Sequence, residues 1–156
     1  MNTLKTLLYM GIMHGFFTYY FPYQLTLADT SLFEPGIFRY FAIPLWLIGT
    51  LIIIWCSIDI IRKGRGTPAY LDPPKELVVT GLYRYVRNPI YVGAMLILFG
   101  YILWSTSTWM MLYSALALSA FNFLIIVIEE PILKNTFGMA YTEYTQHVPR
   151  WTPKFK

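Results

Sequence analysis

Residues 80–93, TGLYRYVRNPIYVG, set Arg84, Arg87, Asn88 and three tyrosines beside an Asn-Pro pair and two glycines, and far downstream stand two adjacent carboxylates, Glu129 and Glu130. A guanidinium grips carboxylates and phosphates through a planar fork. Carboxylates hold ammonium groups and hydroxyls, and aromatic faces accept flat rings and cations. Brought to one place, these residues would bind a small ligand carrying an anion, a cation and an aromatic ring. The bland alternative for the acids is solvation, or pairing of Glu130 with Lys134 one helical turn on. His14 and His147 read as a helix-packing and an interfacial histidine, and Cys56 as helix filler. With one cysteine and no Cys/His cluster, neither a disulfide nor a metal site is expected.

These side chains sit in an apolar chain. Charged residues make up 13% and apolar residues 56%, which is the balance of a membrane protein rather than a soluble domain. Uncharged runs extend from Thr6 to Ala28, from Tyr40 to Ile58, and from Asn88 to Ile128. The first two match the roughly 20 residues that a helix needs to cross the hydrocarbon core. The third is too long for one crossing and is divided by WSTSTW, Trp104 to Trp109, giving a helical hairpin with tryptophans at its turn. The expected fold is all-α: an integral membrane bundle of about four transmembrane helices, with a cytoplasmic loop and a C-terminal amphipathic helix. Residues 1–156 form one domain, and the N-terminal run is expected to remain as a span rather than a cleaved signal. With four spans, every basic residue except Arg39 falls on the face that holds Arg87 and both termini, and that face is cytoplasmic by the positive-inside rule. The positive charge thus serves topology and contact with anionic membrane lipids, and no nucleic-acid motif is present.

The local signals say how the polar residues are held. Asn88-Pro89 reads as an N-cap and first-turn pair that starts the third span. Thr80-Gly81 starts a short preceding helix on which Arg84, Arg87 and Asn88 share a face. Gly93 and Gly100, two turns apart, let a neighbouring helix or a ligand approach closely. Beyond Pro131, the apolar positions Leu133, Phe137, Tyr141, Tyr144 and Val148 recur at helical spacing, an interfacial stripe. The hairpin returns Glu129-Glu130 to the Arg87-Asn88-Tyr91 end. S-adenosylmethionine satisfies the ligand description, and so do a nucleotide sugar and a lipid headgroup.

GLYRYVRNPIYVG resembles the first motif of the isoprenylcysteine carboxyl methyltransferase and phospholipid methyltransferase superfamily, G-x-Y-R-Y-x-R-[HN]-P-x-Y-x-G. EEP followed by FGMAYTEYTQHVPRWTP resembles its second motif, and the loop GTPAYLDPPKELVVTG is similar to one found in many bacterial members. The match runs from Gly66 to Pro153, so the catalytic core is expected at about 66–153. The resemblance implies an integral membrane methyltransferase that uses S-adenosylmethionine without a metal. Carried over by position, Arg87, Asn88, Tyr91 and Gly93 line the cofactor site from the first motif, with Glu129 and Glu130 from the second. Val79 and Gly81 lie near the adenosine part, and Tyr141, Tyr144 and Arg150 close the pocket from below. Arg87 and Glu130 are the expected catalytic pair. Asn88 stands where the motif usually has histidine, which removes a titratable group. The apolar run Phe123 to Ile128 replaces the charged turns of the eukaryotic prenylcysteine enzymes.

A carboxylate acceptor needs no base for methylation, whereas an amine needs deprotonation. The acceptor is expected to be lipophilic, the carboxylate or amine of an isoprenoid or lipid, entering sideways from the bilayer near Gly93, Gly100 and the inner half of the fourth span. The expected location is a bacterial inner membrane. Phospholipid N-methylation, or a noncatalytic partner subunit of the same fold, are the alternatives.

Overall fold

Long apolar runs leave the backbone no polar partner but itself, and this chain answers with helices. The computed structural model describes residues 4, 8–28, 32–65 and 74–154, and every regular element among them is helical. Residues 66–73 of the Gly/Pro-rich loop, with Lys5 and Lys156, lie outside the described residues. Helix α1 begins with wide π-type turns at Gly11–Tyr20 and runs on as Phe21–Ala28. Helix α2 spans Gly36–Gly64 and stops at Arg65, which takes a left-handed conformation. A short 3₁₀ turn, Gly81–Arg84, leads into α3, Pro89–Ser105. Helix α4 is Thr108–Phe137, and α5 is Met139–His147.

Helices α2 and α4 are long and apolar enough to cross a membrane, and α3 is a shorter apolar helix. At 1.5 Å per residue, α3 is about 25 Å long, slightly less than a hydrocarbon core. Leu47, Leu51, Ile54 and Trp55 on α2, and Leu112, Leu116, Phe123 and Val127 on α4, are exposed. An apolar surface this continuous belongs in lipid. The chain is a helical membrane protein.

The tightest seam joins α2 to α3. A Cβ on Gly93 would lie 2.8 Å from the Gly49 carbonyl oxygen, and one on Gly100 would lie 2.7 Å from the Trp46 indole nitrogen. Small residues therefore let the two backbones touch. Trp46, Gly49 and Ile53 meet Gly100, Ile97 and Gly93 in turn, so the helices run antiparallel. Ala94 and Ile97 are completely buried there. Helix α1 is tied on by polar bonds: the Tyr19 hydroxyl with Thr50 at 2.5 Å, Tyr101 to the Tyr19 carbonyl at 3.3 Å, and Tyr113 to the Phe17 carbonyl at 2.6 Å. At the α3–α4 turn, Ser107 caps α4 by accepting from the Met110 amide, and Thr106 donates to the Phe33 carbonyl. Arg39 packs over the Trp104 ring at this end, 5.4 Å from its centre.

Two expectations differ from the structure. Asn88 precedes Pro89 at the start of α3 but makes no side-chain cap, because its amide is turned to the C-terminal tail. The helix expected to begin at Pro131 is divided: α4 continues through Pro131 to Phe137, Gly138 takes a positive φ of 55°, and α5 comes after it. Proline removes an amide and crowds the carbonyl four residues back. The widened turns at Ile125–Glu129 relieve that conflict without ending the rod.

Candidate functional site

At the end of the bundle opposite Arg39, the chain before α3 forms a tight turn in which the amides of Tyr85 and Val86 both bond the Leu82 carbonyl. Buried Val86 pins the turn from inside. The C-terminal tail then runs alongside it, with Arg87 N–H donating to the Pro149 carbonyl at 2.9 Å and Lys154 N–H to the Tyr85 carbonyl at 3.1 Å. These bonds set Arg87 and Arg150 next to each other. Both point at Glu130. Arg150 grips it bidentately, Nε to Oε1 at 2.8 Å and Nη2 to Oε2 at 3.0 Å, while Arg87 Nη1 reaches Oε1 at 3.0 Å. Two guanidiniums on one carboxylate leave Glu130 fully engaged.

Glu129 is used differently. The π-type turns at Ile125–Glu129 carry an extra residue per turn, which rotates the succeeding side chains by about 100° relative to a regular helix. Glu129 receives the Tyr91 hydroxyl and faces a cavity of about 440 Å³. At this polar end the cavity is also lined by Arg87, Asn88, Tyr83, Tyr141 and Tyr144. Tyr144 donates to the Tyr83 carbonyl at 2.6 Å, and Asn88 Nδ2 to the Arg150 carbonyl at 3.3 Å. Trp151 donates to Asn122 Oδ1 at 2.9 Å, fastening the tail to α4. Burial raises the Tyr83 and Tyr144 hydroxyls well above their ordinary range. Burial also raises Tyr141, reinforced by the Glu130 charge and opposed by the Arg87 charge. The Glu130 hydrogen bonds raise Arg150 further. The three tyrosines thus remain neutral hydroxyls, and the arginines remain charged.

Arg87, Asn88, Tyr91, Glu129, Tyr141 and Tyr144 therefore come together around one cavity. Glu130 adjoins them but is held by Arg87 and Arg150 rather than lining the cavity, and it does not pair with Lys134. Gly93 does not line the cavity: its Cα face packs against Gly49 and Ile53 in the α2–α3 seam, as Gly100 packs against Trp46. Val79 and Gly81 also stand apart from the cavity. Val79 is exposed, and Gly81, at φ +62°, lies against the Asp59 carboxylate; the cavity lining comes from the neighbouring Val78.

Sequence reasoning used Asp59 only to end a span. The structure buries it and pairs it with Lys63 at 2.8 Å, and Lys63 also donates to Thr80 at 2.9 Å. The i,i+4 acid–base spacing at a span end carried that signal. His14, expected as a helix-packing residue, lines the cavity's apolar branch together with Thr18. Nothing in the sequence marks which face of α1 turns inward. Among the described residues, no cluster of three metal-ligating side chains occurs.

A family model described as phospholipid methyltransferase matches residues 38–140, which include most of α2, all of α3, Arg87, Tyr91 and both glutamates. The chain belongs to the phospholipid methyltransferase family. It is similar to protein-S-isoprenylcysteine O-methyltransferase B of Arabidopsis thaliana, 30% identical over 134 residues, covering 78% of this chain and 64% of the relative. It is also similar to protein-S-isoprenylcysteine O-methyltransferase of Schizosaccharomyces pombe, 32% identical over 84 residues, 49% of this chain and 33% of the relative. The chain thus spans less than two thirds of the length of these curated relatives. No solved structure matches it.

Proposed function

We propose that this protein is an S-adenosylmethionine-dependent methyltransferase acting on the carboxylate or amine of a lipophilic acceptor, an isoprenoid or lipid. The observation that carries this reading is the cavity in which Arg87, Tyr91, Glu129, Tyr141 and Tyr144 converge at one end while the rest of the wall is apolar. Family membership and relatives named as O-methyltransferases support it. The donor set fits the cofactor. A guanidinium suits its carboxylate, a carboxylate its ammonium or ribose hydroxyls, and aromatic faces its adenine and sulfonium. About 440 Å³ lies within the range of small-molecule sites. When bound, S-adenosylmethionine supplies an electrophilic methyl group, and transfer to a carboxylate oxygen forms the O–C bond as the S–C bond breaks with its electron pair left on sulfur.

The chain's own part is positional. Arg87 and Glu129 orient the polar ligand, Tyr91 fixes the Glu129 carboxylate, and the Arg87–Glu130–Arg150 cluster locks the tail across the mouth. The apolar branch admits the acceptor from the side and keeps water out. In this reading residues 1–156 are one domain with its catalytic core at about 66–153. It forms a four-span bundle with a C-terminal interfacial helix, termini and polar site on the cytoplasmic face of a bacterial inner membrane. Should the acceptor be the amine of a phospholipid, as the family's description favours, Glu129 is the carboxylate best set to take the proton. Calorimetric titration of the detergent-purified protein with S-adenosylhomocysteine tests the reading, with transfer of labelled methyl to extracted lipids as the second arm. Saturable binding, weakened by Glu129→Gln and Arg87→Ala, is expected. Absence of both binding and labelled product would favour a noncatalytic subunit of the same fold.

A further inference from the structure

The cavity continues from its polar end into an apolar branch between α1 and α4, walled by Met13, Phe17, Leu116, Ala117, Ala120 and Leu124. One polar pair interrupts this wall. His14 and Thr18, 8% and 2% exposed, both line the branch, with His14 Nδ1 and Thr18 Oγ1 3.2 Å apart. Their depth is set by Met10, one turn before His14, whose sulfur lies 3.6 Å from the Ser57 hydroxyl oxygen near the polar end of α2. His14 thus sits on the membrane side of the Tyr91–Glu129 pair, along the path a lipophilic chain would occupy.

The hydrogen bonds fix which ring nitrogen carries the proton. Hydroxyls on the other spans, such as Thr50, Ser57, Ser105 and Ser114, donate to the carbonyl four residues back. Thr18 lies in the π-type turns of α1, where that carbonyl is displaced, and its one side-chain hydrogen bond among the described residues is to His14. A buried hydroxyl proton goes to the acceptor at hand. Nδ1 therefore accepts, and Nε2 carries the ring N–H. Nε2 has no hydrogen-bond partner among the described residues, in a side chain more than nine-tenths buried against the cavity.

We propose that His14, oriented by Thr18, is a specificity-determining donor for a neutral oxygen, a keto, ester or hydroxyl group, on the body of the lipophilic acceptor. This rests on the methyltransferase reading above and narrows its substrate class. A pure hydrocarbon or unmodified polyprenyl tail leaves the N–H unsatisfied, and a site built around a hydrogen bond discriminates against a ligand that lacks it. The pair lies outside the residues matched by the family model.

The test uses the full chain in detergent micelles, with hexadecanoic acid and hexadecylamine as parent probes and their mono-keto derivatives with the carbonyl moved along the chain. Affinities are read by displacement of a fluorescent fatty acid. At least one keto position is expected to bind about tenfold tighter than its parent, the gain one hydrogen bond supplies. His14→Leu should abolish the gain and Thr18→Val should reduce it, with S-adenosylhomocysteine binding unchanged in both. Because the chain has two histidines, ¹⁵N-histidine spectra of the unmutated protein provide an independent readout. The His14 Nε2 signal should be that of a protonated nitrogen and should move with the keto ligand, while that of exposed His147 stays. No gain at any keto position, or a gain that survives His14→Leu, overturns the proposal. A keto preference in a protein that fails to bind S-adenosylhomocysteine would instead sink the methyltransferase reading and leave the His14 donor standing.

Discussion

Glu129 and Glu130 are neighbours in sequence and opposites in use. Glu130 sits between Arg87 and Arg150, with its side chain 22% exposed, and binds the tail to the bundle. Removing its charge leaves two guanidiniums facing each other at short range. Glu130→Gln should therefore cost about 2 kcal/mol of stability, less than the loss of a fully buried pair. A clear drop in the thermal midpoint without ligand is the check, and an unchanged midpoint would mean that the cluster does not hold the tail. Glu129 accepts from the Tyr91 hydroxyl and faces the cavity. Glu129→Gln keeps an oxygen that can accept from Tyr91, so it should lower the midpoint less than Glu130→Gln does, and weaken S-adenosylhomocysteine binding at least tenfold. The adjacency of the two acids was visible in the sequence. Their division of labour was not, because it depends on the π-type turns that rotate one of them toward the cavity.

The α2–α3 seam makes a comparable demand of a glycine. Gly93→Ala would place a methyl group 2.8 Å from a backbone oxygen and 3.0 Å from Ile53 Cγ1, and neither helix can yield locally. Overpacking of this kind costs about 1–3 kcal/mol, whereas Gly15→Ala on α1 meets nothing within 4 Å. Thermal unfolding of the two variants should separate them, with Gly15→Ala near wild type. The same variant discriminates between seam and cofactor contact: after Gly93→Ala, residual folded protein should bind S-adenosylhomocysteine with ordinary affinity. At this scale the hairpin was legible, since WSTSTW breaks an apolar run with small polar residues, and Thr106 and Ser107 perform the turn and the cap. The role of Asn88 was legible only as a boundary, because its side chain is recruited by a tail distant in sequence. Pro131 does stand in the first turn of a regular helical segment, as read; the continuity with the span before it was not legible, because the wider turns at Ile125–Glu129 accommodate a proline that a regular helix could not.

Across the whole molecule, the polar cluster and the Arg39–Trp104 contact occupy opposite ends of one bundle. With the proposed orientation, a cysteine at Thr108 and one at Glu143 should react with an impermeant maleimide from opposite sides of sealed vesicles. Labelling of both from one side would refute the four-span arrangement. Composition revealed that this is a membrane protein, and the two motifs revealed which residues gather. The lateral path was expected near Gly93, Gly100 and the inner half of the fourth span; the two glycines pack against α2, whereas α4, read as the fourth span, lines the cavity. The apolar part of the cavity lies between α1 and α4, where Tyr113 bonds the Phe17 carbonyl and Leu116, Ala117 and Ala120 line it. In the proposed reading, the small side chains of Ala117 and Ala120 leave room for a hydrocarbon chain, and the polar ligand binds at Arg87 and Glu129. Ala117→Trp fills the branch without touching the polar end. Methyl transfer to a lipid acceptor should fall at least tenfold, as expected when a bulky ring blocks a binding channel, with S-adenosylhomocysteine affinity unchanged. An equal loss of both would place the cofactor in the branch itself. Full turnover in Ala117→Trp would mean that the acceptor reaches the methyl group by another route.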